Sequence, residues 1–351
     1  MERYNDIKPY FAFELTPVPT SLFQDCLMWE SNKSMLISQL FGKDFQLNKN
    51  DIPGGVNVVD GGMLLHRTSW REGQLFKNIL EGYKAYVKSI FGVCTIVFDG
   101  YCNEPSPKDH EHQRRSSISC PKVKPQHNSI ITVSQQIFLS SNSNKESLID
   151  MLIPTLIPDN HTIKQAAADA DTLIVASVLG FASEGQAVSL FANDTDILVM
   201  LVYHWKRDMA TVCVKSDIMK SGKRIQKVFN VEEACSIVTT TTKQHILLIH
   251  AFTGCDTTSA IHDKGKSVLK KLLENSNEAQ TSAMVFLDPD ATKDDIGEAG
   301  IRLFVLLYGG KPGDKLADLR YSKYMWMAAT SSRISPSKLP PTECAAYFHS
   351  L

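Results

Sequence analysis

The chain has 351 residues, 43% of them apolar, with 37 basic and 38 acidic side chains. That suffices for one large domain with extensions or for two domains, while a net charge of −1 excludes coating of nucleic acid by bulk electrostatics but leaves room for a local basic track. Apolar runs such as Ile197–Tyr203 fall far short of the roughly 20 residues that span a bilayer, so no membrane partner is expected.

Met1–Tyr10 has no basic start followed by an apolar stretch, so no secretory signal is expected. The eight cysteines, Cys26, Cys94, Cys102, Cys120, Cys213, Cys235, Cys255 and Cys344, form no CxxC pair. Most adjoin apolar runs, where reduced thiols act as small hydrophobes. An intracellular compartment follows as the expectation.

In chain order, residues 1–55 read as an N-terminal arm, with turn formers at Pro17-Val18-Pro19 and Asp51-Ile52-Pro53-Gly54-Gly55. A strand is predicted near Val56–Val59. Between Ser69 and Phe91, Leu75, Ile79, Tyr83, Tyr86, Val87 and Ile90 recur at spacings of three and four, the stripe of an amphipathic helix on a sheet. Thr95–Phe98 is the next strand. Residues 103–144, rich in Ser, Pro, Lys, His and Asn, read as a long connection. Helical pattern resumes at Lys145–Ile157 and Ile163–Phe181, and strands then alternate with helices to Phe252. That rhythm predicts right-handed crossovers and a mainly parallel sheet, an α/β domain over 56–310. Residues 311–351 read as an extension that stops within an amphipathic segment, Tyr347-Phe348-His349-Ser350-Leu351, as a truncated chain would. No internal repeat is present.

Four apolar runs each end on an aspartate. Val56–Val59 stops at Asp60, Thr95–Phe98 at Asp99, Ala187–Ala192 at Asn193-Asp194-Thr195-Asp196, and Ile246–Phe252 at Gly254-Cys255-Asp256. Ligand crevices of open parallel sheets lie beyond the carboxyl ends of the strands, so these acids are expected to converge. Carboxylates that close repel, and some stay protonated unless a cation neutralises them. Hard divalent ions such as Mg²⁺ or Mn²⁺ take oxygen ligands and bind alongside substrate phosphates, which points to a metal-dependent phosphodiester site. Asp169 and Asp171 form a fifth acidic element. Taken alone, it would only complement a helix dipole, just as Asp194-Thr195-Asp196 would only cap the helix that follows.

Basic residues gather at Lys108, Arg114, Arg115, Lys122 and Lys124, at Lys215, Lys220, Lys223, Arg224 and Lys227, and at Lys264, Lys266, Lys270 and Lys271. Each group alone reads as a solvated face; beside the acidic run ends, each becomes a candidate contact surface. His110 and His112 lack a second ligand pair for zinc.

The series Val-Val-Asp60, Val-Phe-Asp99-Gly100, Asp169-x-Asp171, Asp194-x-Asp196 and Gly254-Cys255-Asp256 resembles the flap-endonuclease/XPG-type branch of the PIN-like nucleases, over Val56 to Lys271. The family has Glu-x-Glu where this chain has Asp169-x-Asp171. The resemblance implies a PIN-like three-layer domain with a central, mainly parallel twisted sheet flanked by helices. It also implies two Mg²⁺ or Mn²⁺ ions, one held mainly by Asp60, Asp99, Asp169 and Asp171, the other by Asp194, Asp196 and Asp256. Lys108 and Arg115 match in mutual separation the family's gateway Lys and Arg, which hold the scissile phosphate. His66 stands where the family has a base-stacking aromatic residue.

Residues 256–275 resemble the family's helix-hairpin-helix, with Ile261 and Gly265 on its Ile and second Gly, Asp263 replacing its first Gly and Lys264 its central Ile. With Arg114, the residues Lys264, Gly265, Lys266 and Lys270 are the expected nucleic-acid contacts. The implied activity is a two-metal nuclease acting on DNA rather than RNA, in the nucleus. The alternative is a catalytically silent nucleic-acid-binding or protein-interaction module that kept the fold. Pro17–Phe23 and Ala251–Ala260 are also similar to segments of a group of invertebrate proteins, a resemblance that supplies no activity.

Overall fold

A computed structural model describes residues 7–31, 33–42, 45, 54–101, 121–220, 223–331 and 333–351. The chain divides into two compact units, Asp44–Ile237 and, in two pieces, Met1–Lys43 with Val238–Leu351. Among the described residues a two-residue hairpin, β1 (Phe23–Gln24) with β2 (Leu27–Met28), belongs to the two-piece unit. The other strands, β3 (Val56–Asp60), β4 (Cys94–Phe98), β5 (Thr162–Gln165), β6 (Val188–Phe191), β7 (Val212–Lys220) and β8 (Lys223–Asn230), form one six-stranded sheet in the continuous unit.

The sheet order is β5-β4-β3-β6-β7-β8, parallel throughout except for the antiparallel β7–β8 pair. Every residue of β4 and β6 is buried, which explains why these strands read as unbroken apolar runs: a parallel sheet is covered on both faces. One face carries the helices Phe76–Phe91 and Asn142–Leu156, whose Ile79, Tyr83, Val87, Leu148 and Leu152 pack on Val59, Ile96 and Phe98. The helices Asp171–Ser183 and Thr195–His204 pack on each other, the first also on β3 and β6. The unit is thus a three-layer α/β domain with a mixed, mainly parallel sheet. Trp70 Nε1 donates to Tyr83 Oη at 3.0 Å, and that hydroxyl donates to Leu65 O at 2.6 Å, so both buried polar tips are satisfied.

Two expectations are corrected. Ile163–Phe181 is not one helix: Thr162–Gln165 pairs with β4, and the helix begins at Asp171. A four-residue, half-buried edge strand is too short to show its period. The run Ile246–Phe252, expected as a strand, is a helix burying Ile246, Leu248, Ile249, His250 and Phe252. A seven-residue apolar run fits either state until its neighbours decide, and its unit is built from helices. At the other edge, only two residues separate Lys220 from Lys223, so β7 and β8 form a hairpin instead of another crossover.

In the two-piece unit the helices are Lys33–Phe41, Thr240–Gln244, Ile246–Phe252, Lys266–Asn275, Asn277–Val285, Lys293–Leu307, Leu316–Thr330 and Glu343–Ser350. The N-terminal hairpin supports the loop after Phe252: Ala260 N donates to Trp29 O at 2.8 Å, His262 N to Ser21 O at 2.9 Å, and the Trp29 and His262 rings lie 5.1 Å apart. The segments Pro17–Phe23 and Ala251–Ala260 are therefore parts of one local structure. Arg320, buried, donates through Nε to Phe11 O at 3.0 Å and through Nη2 to Phe13 O at 3.2 Å. It also bonds Pro340 O and pairs with Glu14. No described helix is long and apolar enough to cross a membrane.

Candidate metal centre

Parallel pairing brings the ends of β3, β4 and β6 level, since Val59 stands opposite both Ile96 and Phe191. The chain leaves these three adjacent strands through Asp60, Asp99 and Asp194. Asp60 caps the helix Gly61–Leu65, its Oδ1 accepting from Gly62 N at 2.8 Å. A Cβ on Gly61 would stand 2.2 Å from Phe98 Cδ1, and one on Gly62 would stand 3.2 Å from Asp60 Oδ1 and 3.3 Å from Asp99 Oδ2. Both carboxylates thus flank Gly62.

Asp99 Oδ1 accepts from Ala170 N at 2.9 Å. Gly100 N donates to Ala168 O at 2.6 Å, and a Cβ on Gly100 would come within 2.1 Å of Ala166 O. The stretch 166–170 is therefore folded onto Asp99, with Asp169 and Asp171 on either side of Ala170 in the chain. Asp169 is exposed and Asp171, in the first turn of its helix, half-buried. Asp194 caps the helix Thr195–His204, its Oδ1 accepting from Asp196 N at 3.0 Å, and both are half-buried.

These placements have an electrostatic cost. Burial, then the neighbouring Asp99, then Asp194 push the Asp60 carboxyl up to about 7, against the opposing pull of the Met63 and Gly62 N–H groups. Asp60 therefore keeps its proton near neutral pH unless a cation shares the site. Burial, Asp99, Asp60 and Glu146 together raise the Tyr101 hydroxyl far above its usual range. Tyr101 and Glu146 are rim residues that the sequence reading missed. For Tyr101 the signal was its place two residues after Asp99; for Glu146, on the helix Asn142–Leu156, there was none.

Asp194 and Asp196, at the start of one helix, each offer a carboxylate oxygen to a divalent ion. Asp256, half-buried, belongs to the two-piece unit. Its loop turns at Gly254, where φ is +104° and a Cβ would meet Ala260 Cα at 2.6 Å. Thr258 Oγ1 fastens the same loop to Ala251 O at 2.6 Å. These donors are carboxylate oxygens, and burial followed by neighbouring acids holds the nearby Asp60 carboxyl above its ordinary pKa. That chemistry fits a hard Mg²⁺ or Mn²⁺ ion.

The remaining expected residues fall elsewhere. Lys108, Arg114 and Arg115 lie outside the described residues. His66 is exposed at the end of the helix Gly61–Leu65. Asp263 adopts φ +58°, in the left-handed region that favours glycine, and Gly265 caps the helix Lys266–Asn275. Two lysines expected to face a phosphate backbone do not. Lys266 is buried and donates to His250 O and Gly254 O at 3.2 and 2.7 Å; Lys270 donates to Leu40 O at 2.9 Å. An inward ammonium closes helix-end carbonyls that would otherwise be orphaned. Compared with known proteins, the chain matches no family model and no curated relative.

Proposed function

We propose that the sheet unit is a divalent-metal-dependent phosphodiesterase acting on nucleic acid, with the PIN-like character of the flap-endonuclease/XPG-type branch. The observation that carries this reading is the convergence of Asp60, Asp99 and Asp194 at the carboxyl ends of three adjacent parallel strands, with Asp60 raised to about 7 by burial and then by those neighbouring acids. Within that unit Asp60, Asp99, Asp169 and Asp171 serve mainly one ion, Asp194 and Asp196 mainly the other. Bound there, Mg²⁺ or Mn²⁺ supplies Lewis acidity and an acidified water for attack on phosphorus. The protein's own part is to hold the carboxylates rigidly through caps and backbone bonds, and to bring Lys108 and Arg115 to the phosphate.

Labelled single-stranded, flap and duplex DNA, with matched RNA, incubated with Mg²⁺, Mn²⁺ or EDTA, tests the reading. Cleavage is expected with metal and not in EDTA, and Asp99→Ala or Asp194→Ala should abolish it while binding persists. The silent-module alternative draws on Lys266 and Lys270, which are spent on internal carbonyls. It predicts metal-independent binding with no cleavage of any substrate, and that result would replace the enzymatic reading.

A further inference from the structure

Within the helical two-piece unit, His262–Lys264 and the stretch from Tyr308 to Lys338 border a cleft of about 360 Å³. Lys264, Lys323, Arg333 and Lys338 line it, and among the described residues none of these four forms an ion pair. Asp263 is the one acid on the described lining, its side chain 65% exposed and 3.4 Å from His262. The positive charge is therefore in excess, and like charges crowd: burial and then Lys323 hold the Lys264 ammonium below its ordinary pKa.

Two further features narrow the ligand. Tyr308 Oη is buried at the cleft without a hydrogen-bond partner, and a buried hydroxyl left unpaired is costly. Trp326 is 57% exposed, with Lys323 Nζ 4.6 Å from its ring centroid, while Lys264 Nζ sits 5.0 Å from the Tyr308 ring. Cations beside an open indole are the means by which proteins hold single strands: charge tracks the backbone and the ring takes a base.

We propose that this cleft binds single-stranded nucleic acid, one phosphate among Lys264, Lys323, Arg333 and Tyr308 Oη and an adjoining base on Trp326. An acidic peptide would satisfy the cations but leave the indole unused. The proposal does not rest on the metal reading.

Binding of a labelled oligothymidylate to the full chain in EDTA, followed by anisotropy across a salt series, tests the assignment. Inorganic phosphate, a mononucleotide and polyglutamate serve as competitors. Lys323→Glu with Arg333→Glu, both at exposed positions, should weaken binding tenfold or more and flatten the salt slope by about 0.7, the value of one phosphate contact on a single strand. Trp326→Ala should weaken the oligonucleotide about fivefold or more while leaving binding of inorganic phosphate unchanged. Equal thermal midpoints certify that these variants fold. Asp99→Asn with Asp194→Asn should bind like the parent, so failure of the metal centre and failure of this cleft are distinguishable. Absence of oligonucleotide binding by the parent, equal affinity in the charge-reversed variant, or polyglutamate competing as well as the oligonucleotide would each overturn the proposal.

Discussion

The acidic rim of the sheet and the basic cleft of the helical unit gather like charges by opposite means. On the rim the backbone does the gathering: Asp60 and Asp194 cap helices, and Asp99 is held by the Ala170 N–H. In the cleft the charges sit on long side chains, two of them resting over aromatic rings. Lysines and arginines can splay apart to relieve repulsion; capped aspartates cannot. Repulsion on the rim is therefore locked into the folded state, and folding stability should respond to it, whereas the cleft should report its charge mainly through ligand binding.

The contrast breaks most severely if the rim's backbone is disturbed. Gly61→Ala would drive a Cβ to within 2.2 Å of the Phe98 ring, so a loss of about 3 kcal/mol in urea denaturation is expected, at the upper end of overpacking costs. A change under about 1 kcal/mol would mean that the helix Gly61–Leu65 yields easily and that the rim is not rigid. Metal should act in the opposite sense. Mg²⁺ or Mn²⁺ at a hundredfold excess over Kd stabilises by about 2.7 kcal/mol through mass action, and Asp99→Asn with Asp194→Asn should abolish the accompanying rise in thermal midpoint. Equal midpoints for the parent in EDTA and in millimolar Mn²⁺ would count strongly against a metal centre.

A finer test uses Asp60, whose carboxyl titrates at about 7 in the folded protein against 3.8 ordinarily. Between those values the folded state holds a proton that the unfolded state has released. Metal-free stability therefore falls as pH rises from about 4 to 7, and the loss stands in full above 7. Asp60→Asn keeps an equally good cap without the charge. It should make the metal-free protein more stable than the parent at pH 8 by about 1–2 kcal/mol, after allowance for solvent screening of a half-buried group, with no advantage at pH 4. Parallel stability–pH curves for the two proteins would remove the case for locked repulsion. The smallest effect belongs to the cleft. Asp263→Gly, at φ +58°, should raise stability by no more than about 1 kcal/mol yet tighten oligonucleotide binding severalfold, because it removes the one acid on the described lining.

The rim was legible in the sequence because its logic is local: a buried parallel strand is an apolar run, and the residue that ends it sits at a fixed edge. Asp60, Asp99 and Asp194 follow from that alone. Asp169 and Asp171 were expected from their order along the chain, and the turn that folds the Ala168 and Ala170 backbone onto Gly100 and Asp99 is one that no periodicity announces. Ile246–Phe252 misled because a short apolar run carries too few turns to declare its period. The inward direction of Lys266 depends on carbonyls at His250 and Gly254, and the cleft joins Lys264 to Lys323, Arg333 and Lys338 across tens of residues. Such tertiary pairings leave no local mark.

Arg320 joins Phe11 O, 309 residues earlier in the chain, to Pro340 O, and this fixes an order of events during synthesis. The sheet unit lies wholly between the two pieces of the helical unit, so it can close as soon as it leaves the ribosome. The first forty residues cannot, because the guanidinium that their carbonyls accept from has not yet been made. At about 5–20 residues per second they wait on the order of 15–60 s for Tyr321, Tyr324, Met327 and Leu339, the side chains that cover Phe11.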